Sequence, residues 1–184
     1  MTVTETISPT SAMHEVLAAY PGARRALFRQ HHIGGCASCG FQPTESLAQV
    51  CARNGNLDVS AVLAHIQASH AQDQQIEITP SEVAARQARG EAVRLLDIRT
   101  REEWDAVRLA GAEFVNQALV QALMGKAARD ALLVFYDHAG AASLDAAAYF
   151  VGHGFTQAKY LRGGIDAWSQ EVDAKVPRYK LEQT

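Results

Sequence analysis

The sequence predicts two units, a small all-α N-terminal domain followed by an α/β domain whose mostly parallel sheet is flanked by helices. Three observations predict this. Up to about Ala71 the apolar residues recur at helical spacing. From Ile76 onward short β-branched or apolar runs alternate with helical stretches, the pattern of βαβ units. Within that second stretch, Leu132, Leu133, Val134, Phe135 and Tyr136 form one continuous apolar run, as in a strand buried on both faces.

The elements follow in order. Residues 1–10 read as a disordered tail. A first helix over 12–20 places Met13, Val16, Leu17 and Tyr20 on one face. Pro21 suits the first turn of a second helix through Ala26, Leu27 and Phe28. The stretch HHIGGCASCGF at 31–41 holds three glycines and is read as a loop. Thr44 is the expected N-cap of a helix through Leu47, Val50 and Cys51, and Gly55 its C-terminal stop. Asp58 or Ser60 starts a last helix with Val62, Leu63 and Ile66. The helical domain is thus 11–69, the polar stretch 70–75 a linker, and 76–184 the α/β domain. There, strands are expected over 76–78, 94–98, 113–115, 132–136 and 158–161. Helices are expected over 80–88, 101–107, 118–124, 142–152 and 164–170.

Composition narrows the function. The 184 residues are 48% hydrophobic and 20% charged, with a net charge of -3, so no basic field is available to hold nucleic acid or an anionic membrane. No apolar run approaches the ~20 residues of a membrane span. The first ten residues lack the basic and apolar regions of a secretory signal. The three cysteines, Cys36, Cys39 and Cys51, are too few and too unevenly placed for a disulfide scaffold, and a reducing cytoplasm is expected.

The end of the buried strand is the most informative place in the second domain. Tyr136 is followed by Asp137, His138, Ala139, Gly140, Ala141, Ala142 and Ser143, and then by an alanine-rich helix. Loops at the C-terminal ends of parallel strands are where open α/β sheets bind ligands, and their N–H groups favour an anion. Three further segments make a family resemblance specific. LLDIRTREEW at 95–104 resembles the LLDVREPEEY pattern of rhodanese domains. VRLAGA at 107–112 is similar to their GHIPGA, keeping the final Gly-Ala, and LRGGIDAW at 161–168 is similar to their closing LxGGIxAW. The resemblance implies a rhodanese-like fold and an active loop of the form CxxGxR followed by Ser. On that pattern Asp137 stands in place of the nucleophilic cysteine and Ala142 in place of the arginine, while Gly140 and Ser143 are kept. A carboxylate cannot carry a sulfane sulfur, so the resemblance also implies that ordinary thiosulfate sulfurtransferase chemistry is lost here. Three roles stay open for Asp137: a cap on the following helix, a fixed negative charge in a binding module, or a nucleophile or base beside His138. Asp97 and Arg99 are read as loop braces. Tyr149, Phe150 and Trp168 are read as core.

The other chemical feature is Cys36-Ala37-Ser38-Cys39 between glycines. This spacing lets two sulfurs meet in one turn or on one metal. The stretch 11–67 resembles small helical domains associated with hybrid-cluster proteins and carrying a redox disulfide. Tyr20-Pro21, Cys36, Cys39, Thr44 to Leu47 and Asn54-Gly55 carry that likeness. It implies thiol redox or sulfur handling. Read from the residues, Cys36 and Cys39 form a reversible disulfide or bear a persulfide, or bind zinc or an iron–sulfur cluster with Cys51 and His32 or His31, or simply pack a turn. Cys51 lies on the apolar side of its helix and reads as a buried thiol. No cofactor is expected on the leading reading, a two-domain sulfur-relay or thiol-redox accessory protein. Its expected partner is a sulfur- or thiol-carrying protein. Nothing in the sequence names an oligomeric state.

Overall fold

The structure, a computed structural model, describes residues 7–34 and 40–179. The chain divides into two compact units, 1–75 and 76–184.

Among the described residues the first unit carries four helices, α1 (Met13–Ala19), α2 (Ala23–His31), α3 (Leu47–Arg53) and α4 (Val59–Gln75). Their apolar faces meet in one core that contains Met13, Val16, Leu27, Val50, Cys51, Val62 and Ile66. Residues 7–10, expected as part of a disordered tail, are ordered. Ile7 is buried in that core, and the Pro9 carbonyl accepts from the Ala48 amide at 2.9 Å. Thr44 is not the cap of α3. Ser46 is: its hydroxyl accepts from the Gln49 amide while the Gln49 side chain accepts from the Ser46 amide, a reciprocal capping box. The stretch 70–75, expected as a linker, continues α4. It contains no Gly or Pro to break the helix, and the buried Asp73 carboxylate pairs with Arg25 of α2.

Two buried side-chain atoms of α2, Arg24 Nη1 and His31 Nε2, have no hydrogen-bond partner among the described residues, and the His31 ring lies edge-on to that of His65, 6.1 Å between centroids. Burial, and then the neighbouring His65, push the His31 pKa below its usual value.

The second unit carries β1 (Glu77–Ile78), α5 (Pro80–Ala88), β2 (Val93–Asp97), α6 (Arg101–Ala106), β3 (Glu113–Phe114), α7 (Gln117–Lys126), β4 (Leu132–Tyr136), α8 (Ala141–Gly152), β5 (Ala158–Leu161) and α9 (Gly164–Glu171). The five strands form a parallel sheet in the order β1-β5-β4-β2-β3. Side chains alternate across it. Val134 and Tyr136 of β4 join Val83, Ile165 and Trp168 on one face. Leu133 and Phe135 join Leu123, Ala147 and Phe150 on the other. The sheet is therefore covered on both sides, as the apolar run of β4 requires. Tyr149, read as core, is instead 54% exposed. It precedes Phe150 by one residue on α8, so the two rings leave the helix in different directions, and only Phe150 reaches the core.

The C-terminal end of β2 is braced by charge. Arg99 and Asp97 pair with side chains almost wholly out of water, 1% and 0% exposed. Arg99 Nε donates to Asp97 Oδ1 at 2.9 Å, and its Nη2 also reaches the Val107 carbonyl at 2.7 Å.

Two outcomes follow for stability. Arg99→Leu strands the Asp97 carboxylate in the sheet and should lower unfolding free energy by about 3–5 kcal/mol. Urea denaturation read by tryptophan fluorescence checks this, because both tryptophans, Trp104 and Trp168, lie in the second unit. In the first unit, a His31 pKa held below its unfolded value favours the native state above about pH 6.5, and that contribution is lost as pH falls through the folded value. Protection of the α2 amides, corrected for intrinsic exchange, should fall between about pH 7 and pH 5, and His31→Gln should remove that dependence.

Candidate functional site

The loop from Asp137 to Gly140 leaves the C-terminal end of β4, the central strand of the sheet, and opens α8. Its shape depends on glycine. Gly140 has φ +95°, and a Cβ there would stand 2.9 Å from the Gly163 nitrogen. Gly164 has φ +58°, and a Cβ there would overlap the Asp137 and His138 carbonyls. The absence of side chains lets the start of α9 donate into the loop. The Ile165 amide reaches the Asp137 carbonyl at 2.9 Å and the Asp166 amide reaches the His138 carbonyl at 3.2 Å. The Gly-Gly pair of the 161–168 motif is thus a close backbone contact between two loops.

Asp137 turns its carboxylate back into its own loop. Its Oδ1 accepts from the Gly140 amide and, at 3.0 Å, from the Ser143 hydroxyl. Its Oδ2 accepts from the Ala142 amide at 2.8 Å. Gly140, the N-cap of α8, has no side chain to do this. The carboxylate therefore supplies the acceptors for the first free N–H groups of the helix and places a negative charge at its positive end. Ala139, Ala141 and Ala142 offer no polar side chain. His138 directs its ring elsewhere: it lies against Tyr179, with centroids 4.5 Å apart, and its Nδ1 is buried without a partner among the described residues.

Beside the loop is a hollow of about 380 Å³ lined by His138, Asp166, Arg178 and Tyr179. Arg178 forks onto Asp166 at 2.7 and 3.0 Å, and this pairing, more than the field of His138, holds the Asp166 carboxyl below its ordinary range. Tyr179 Oη accepts from Arg99 Nη1 and donates to Glu103, both at 2.7 Å. Burial and then the Glu103 bond push the Tyr179 hydroxyl up to about 12. Burial works against the charge of Arg99, yet its bonds to Asp97 and Tyr179 outweigh that and raise its pKa. Arg178 and Tyr179 had no signal in the sequence beyond ordinary surface composition, and Asp166, although inside the 161–168 motif, carried no sign of its pairing with Arg178.

Cys36 and Cys39 lie outside the described residues. Their flanks are defined. Gly34 and Gly40 pack backbone to backbone, so that a Cβ on Gly40 would stand 2.8 Å from the Gly34 nitrogen. Arg24 sets its guanidinium over the Phe41 ring at 4.7 Å, and Arg53 Nη2 donates to the Gly40 carbonyl at 3.0 Å. Cys51 is fully buried in the helical core, where burial first and Asp58 second push its thiol pKa up. It is an inert thiol rather than a poised one. His32 is an exposed residue at the left-handed end of α2, φ +55°. Among the described residues no group of three His, Cys, Asp or Glu side chains is placed to hold a metal ion.

A parallel α/β sheet with an anion-favouring loop at the end of its central strand, locked by a Gly-Gly turn, defines the class. The family described as Rhodanese-like domain matches residues 79–171, and the chain belongs to it. Among its curated relatives is the probable adenylyltransferase/sulfurtransferase MoeZ of Mycobacterium tuberculosis, 33% identical over 104 residues, 55% of this chain and 26% of that protein. A sulfurtransferase of Allochromatium vinosum is 34% identical over 94 residues, 51% of this chain and 88% of that protein. The match thus spans about a quarter of MoeZ but most of the smaller relative. Among solved structures, human single-domain sulfurtransferase TSTD1 aligns with a TM-score of 0.45 at 26% identity, covering 52% of this chain and 96% of that one. Among the described residues no helix is long and apolar enough to cross a membrane.

The carboxylate cap is testable by its removal. Asp137→Ala should cost about 1–2 kcal/mol in the urea midpoint analysis. Gly164→Ala should cost more, because its Cβ meets backbone rather than a movable side chain.

Proposed function

We propose that this chain is a sulfur-relay or thiol-redox accessory protein. In it Cys36 and Cys39 carry the thiol chemistry, and the rhodanese-like unit serves for docking rather than for thiosulfate sulfur transfer. The observation that carries the second half is the engagement of the loop amides by Asp137. Gly140 and Ala142 donate to the chain's own carboxylate, so the N–H groups that would cradle an anionic sulfur are already satisfied. The carboxylate, in the position that the family's loop pattern gives to cysteine, has no sulfur to carry a persulfide. Nor does Asp137 hydrogen-bond to His138 among the described residues, as an acid–base pair would. The relatives named as sulfurtransferases support a sulfur-handling role.

The thiol step is a two-electron exchange. Oxidation of Cys36 and Cys39 to a disulfide releases two electrons and two protons, which reduce the disulfide of a thiol- or sulfur-carrying protein partner to two thiols. Such a dithiol suits a reducing cytoplasm.

Thiosulfate:cyanide sulfurtransferase activity should be near background in the intact chain. Two thiols beyond the buried Cys51 should titrate after anaerobic reduction and disappear reversibly on mild oxidation. Robust cyanide-dependent turnover that survives replacement of Cys36 and Cys39 by Ser overturns the proposal. So does stoichiometric zinc, or iron and sulfide, with no titratable thiol at those two positions.

A further inference from the structure

We infer that residues 173–179 form a displaceable strap that closes the His138 edge of the Asp137 loop. This holds whether or not Cys36 and Cys39 carry thiol chemistry.

The strap leaves α9 and returns across the C-terminal edge of the sheet. Few points hold it. The Val176 carbonyl accepts from the Ser169 hydroxyl at 2.6 Å, and the Val176 and Tyr179 side chains pack on the core that contains Trp168. Arg178 pairs with Asp166 in an exposed fork, with Arg178 56% exposed. Tyr179 is the main anchor, through its ring on His138 and its hydroxyl between Arg99 and Glu103. Between these points Asp173, Ala174, Lys175 and Pro177 face water. A hollow lies at each side, one lined by His138 and Tyr179 and a second of about 370 Å³ lined by residues of 107–112 and 173–177. A segment with few buried contacts and an exposed ion pair opens at lower free energy than the sheet beneath it.

One group favours opening. With the Tyr179 ring against it, the His138 Nδ1 is buried and has no partner among the described residues, a cost that exposure to water removes. The opposing bonds of Tyr179 favour closure. The two contributions meet at one aromatic contact, so displacement of Tyr179 alone exposes the loop edge while β2, β4 and α9 stay folded. A partner that reads the His138 side of the loop must first lift this strap.

The test is carbethoxylation of His138 by diethyl pyrocarbonate in the full chain, mapped by mass spectrometry, with exposed His153 as internal reference. In the native protein His138 should react more slowly than His153, at a rate that does not change with urea below the unfolding transition. A rate that instead rises with urea in step with global unfolding overturns the inference. Tyr179→Phe keeps the ring and loses both hydroxyl bonds. It should raise His138 labelling by about tenfold while tryptophan fluorescence is unchanged. An unaltered rate in that folded variant also overturns the inference.

Discussion

The guanidinium of Arg99 is out of water and still charged, and much of the second unit is arranged to make that tolerable. Its donors are used on Asp97 at the end of β2, on the Val107 carbonyl after α6 and on Tyr179 beyond α9. Each acceptor comes from a different piece of chain. A buried cation without them would be costly by several kcal/mol. The turn at 107 and the segment after α9 are therefore set by where Arg99 can find oxygen, and the Tyr179 ring that results lies on the His138 side of the neighbouring loop.

The Asp137 loop obeys a different constraint. Its backbone is held by glycine contacts with the start of α9, and those contacts would be the same whatever side chain stood at 137. The electrostatics are not indifferent. A helix start with free amides attracts a negative group. Here the chain provides one, at fixed position and without a labile bond. On the proposed reading the loop keeps its glycine-held frame while the Asp137 carboxylate caps α8, and the loop acts through shape and charge.

Much of this fold was legible because its elements are locally consistent. β4, β5 and α5 have the expected bounds, since a continuous apolar run, a short strand before Leu161 and a Thr79-Pro80 start each signal themselves within a few residues. Where the reading failed, a distant partner decided the matter. Residues 70–75 look like a polar linker until Asp73 meets Arg25. Thr44 looks like a cap until Ser46 bridges to Ala12 and takes the position. At the site, Asp137 and its loop were visible from the strand that precedes them. Tyr179 was not: its hydrogen-bond partners lie 76 and 80 residues away in the chain. Local pattern carries no information about such pairs.

The cysteine distribution then takes on physical content. Of the three thiols, Cys51 is sealed in the helical core with its pKa raised, which suppresses the thiolate that any exchange requires. The sheet unit has none. On the proposed reading sulfur chemistry falls to Cys36 and Cys39, between Gly34 and Gly40. These two glycines approach so closely that a Cβ on Gly40 would stand 2.8 Å from the Gly34 nitrogen, while Gly34 itself holds φ +82°. Beside that contact Arg24 lies over the Phe41 ring, and Arg53 Nη2 donates to both the Gly40 carbonyl and Glu45. On that reading thiol chemistry therefore belongs to the first unit, since Cys51 is sealed and the sheet unit has no cysteine, and recognition is left to the second.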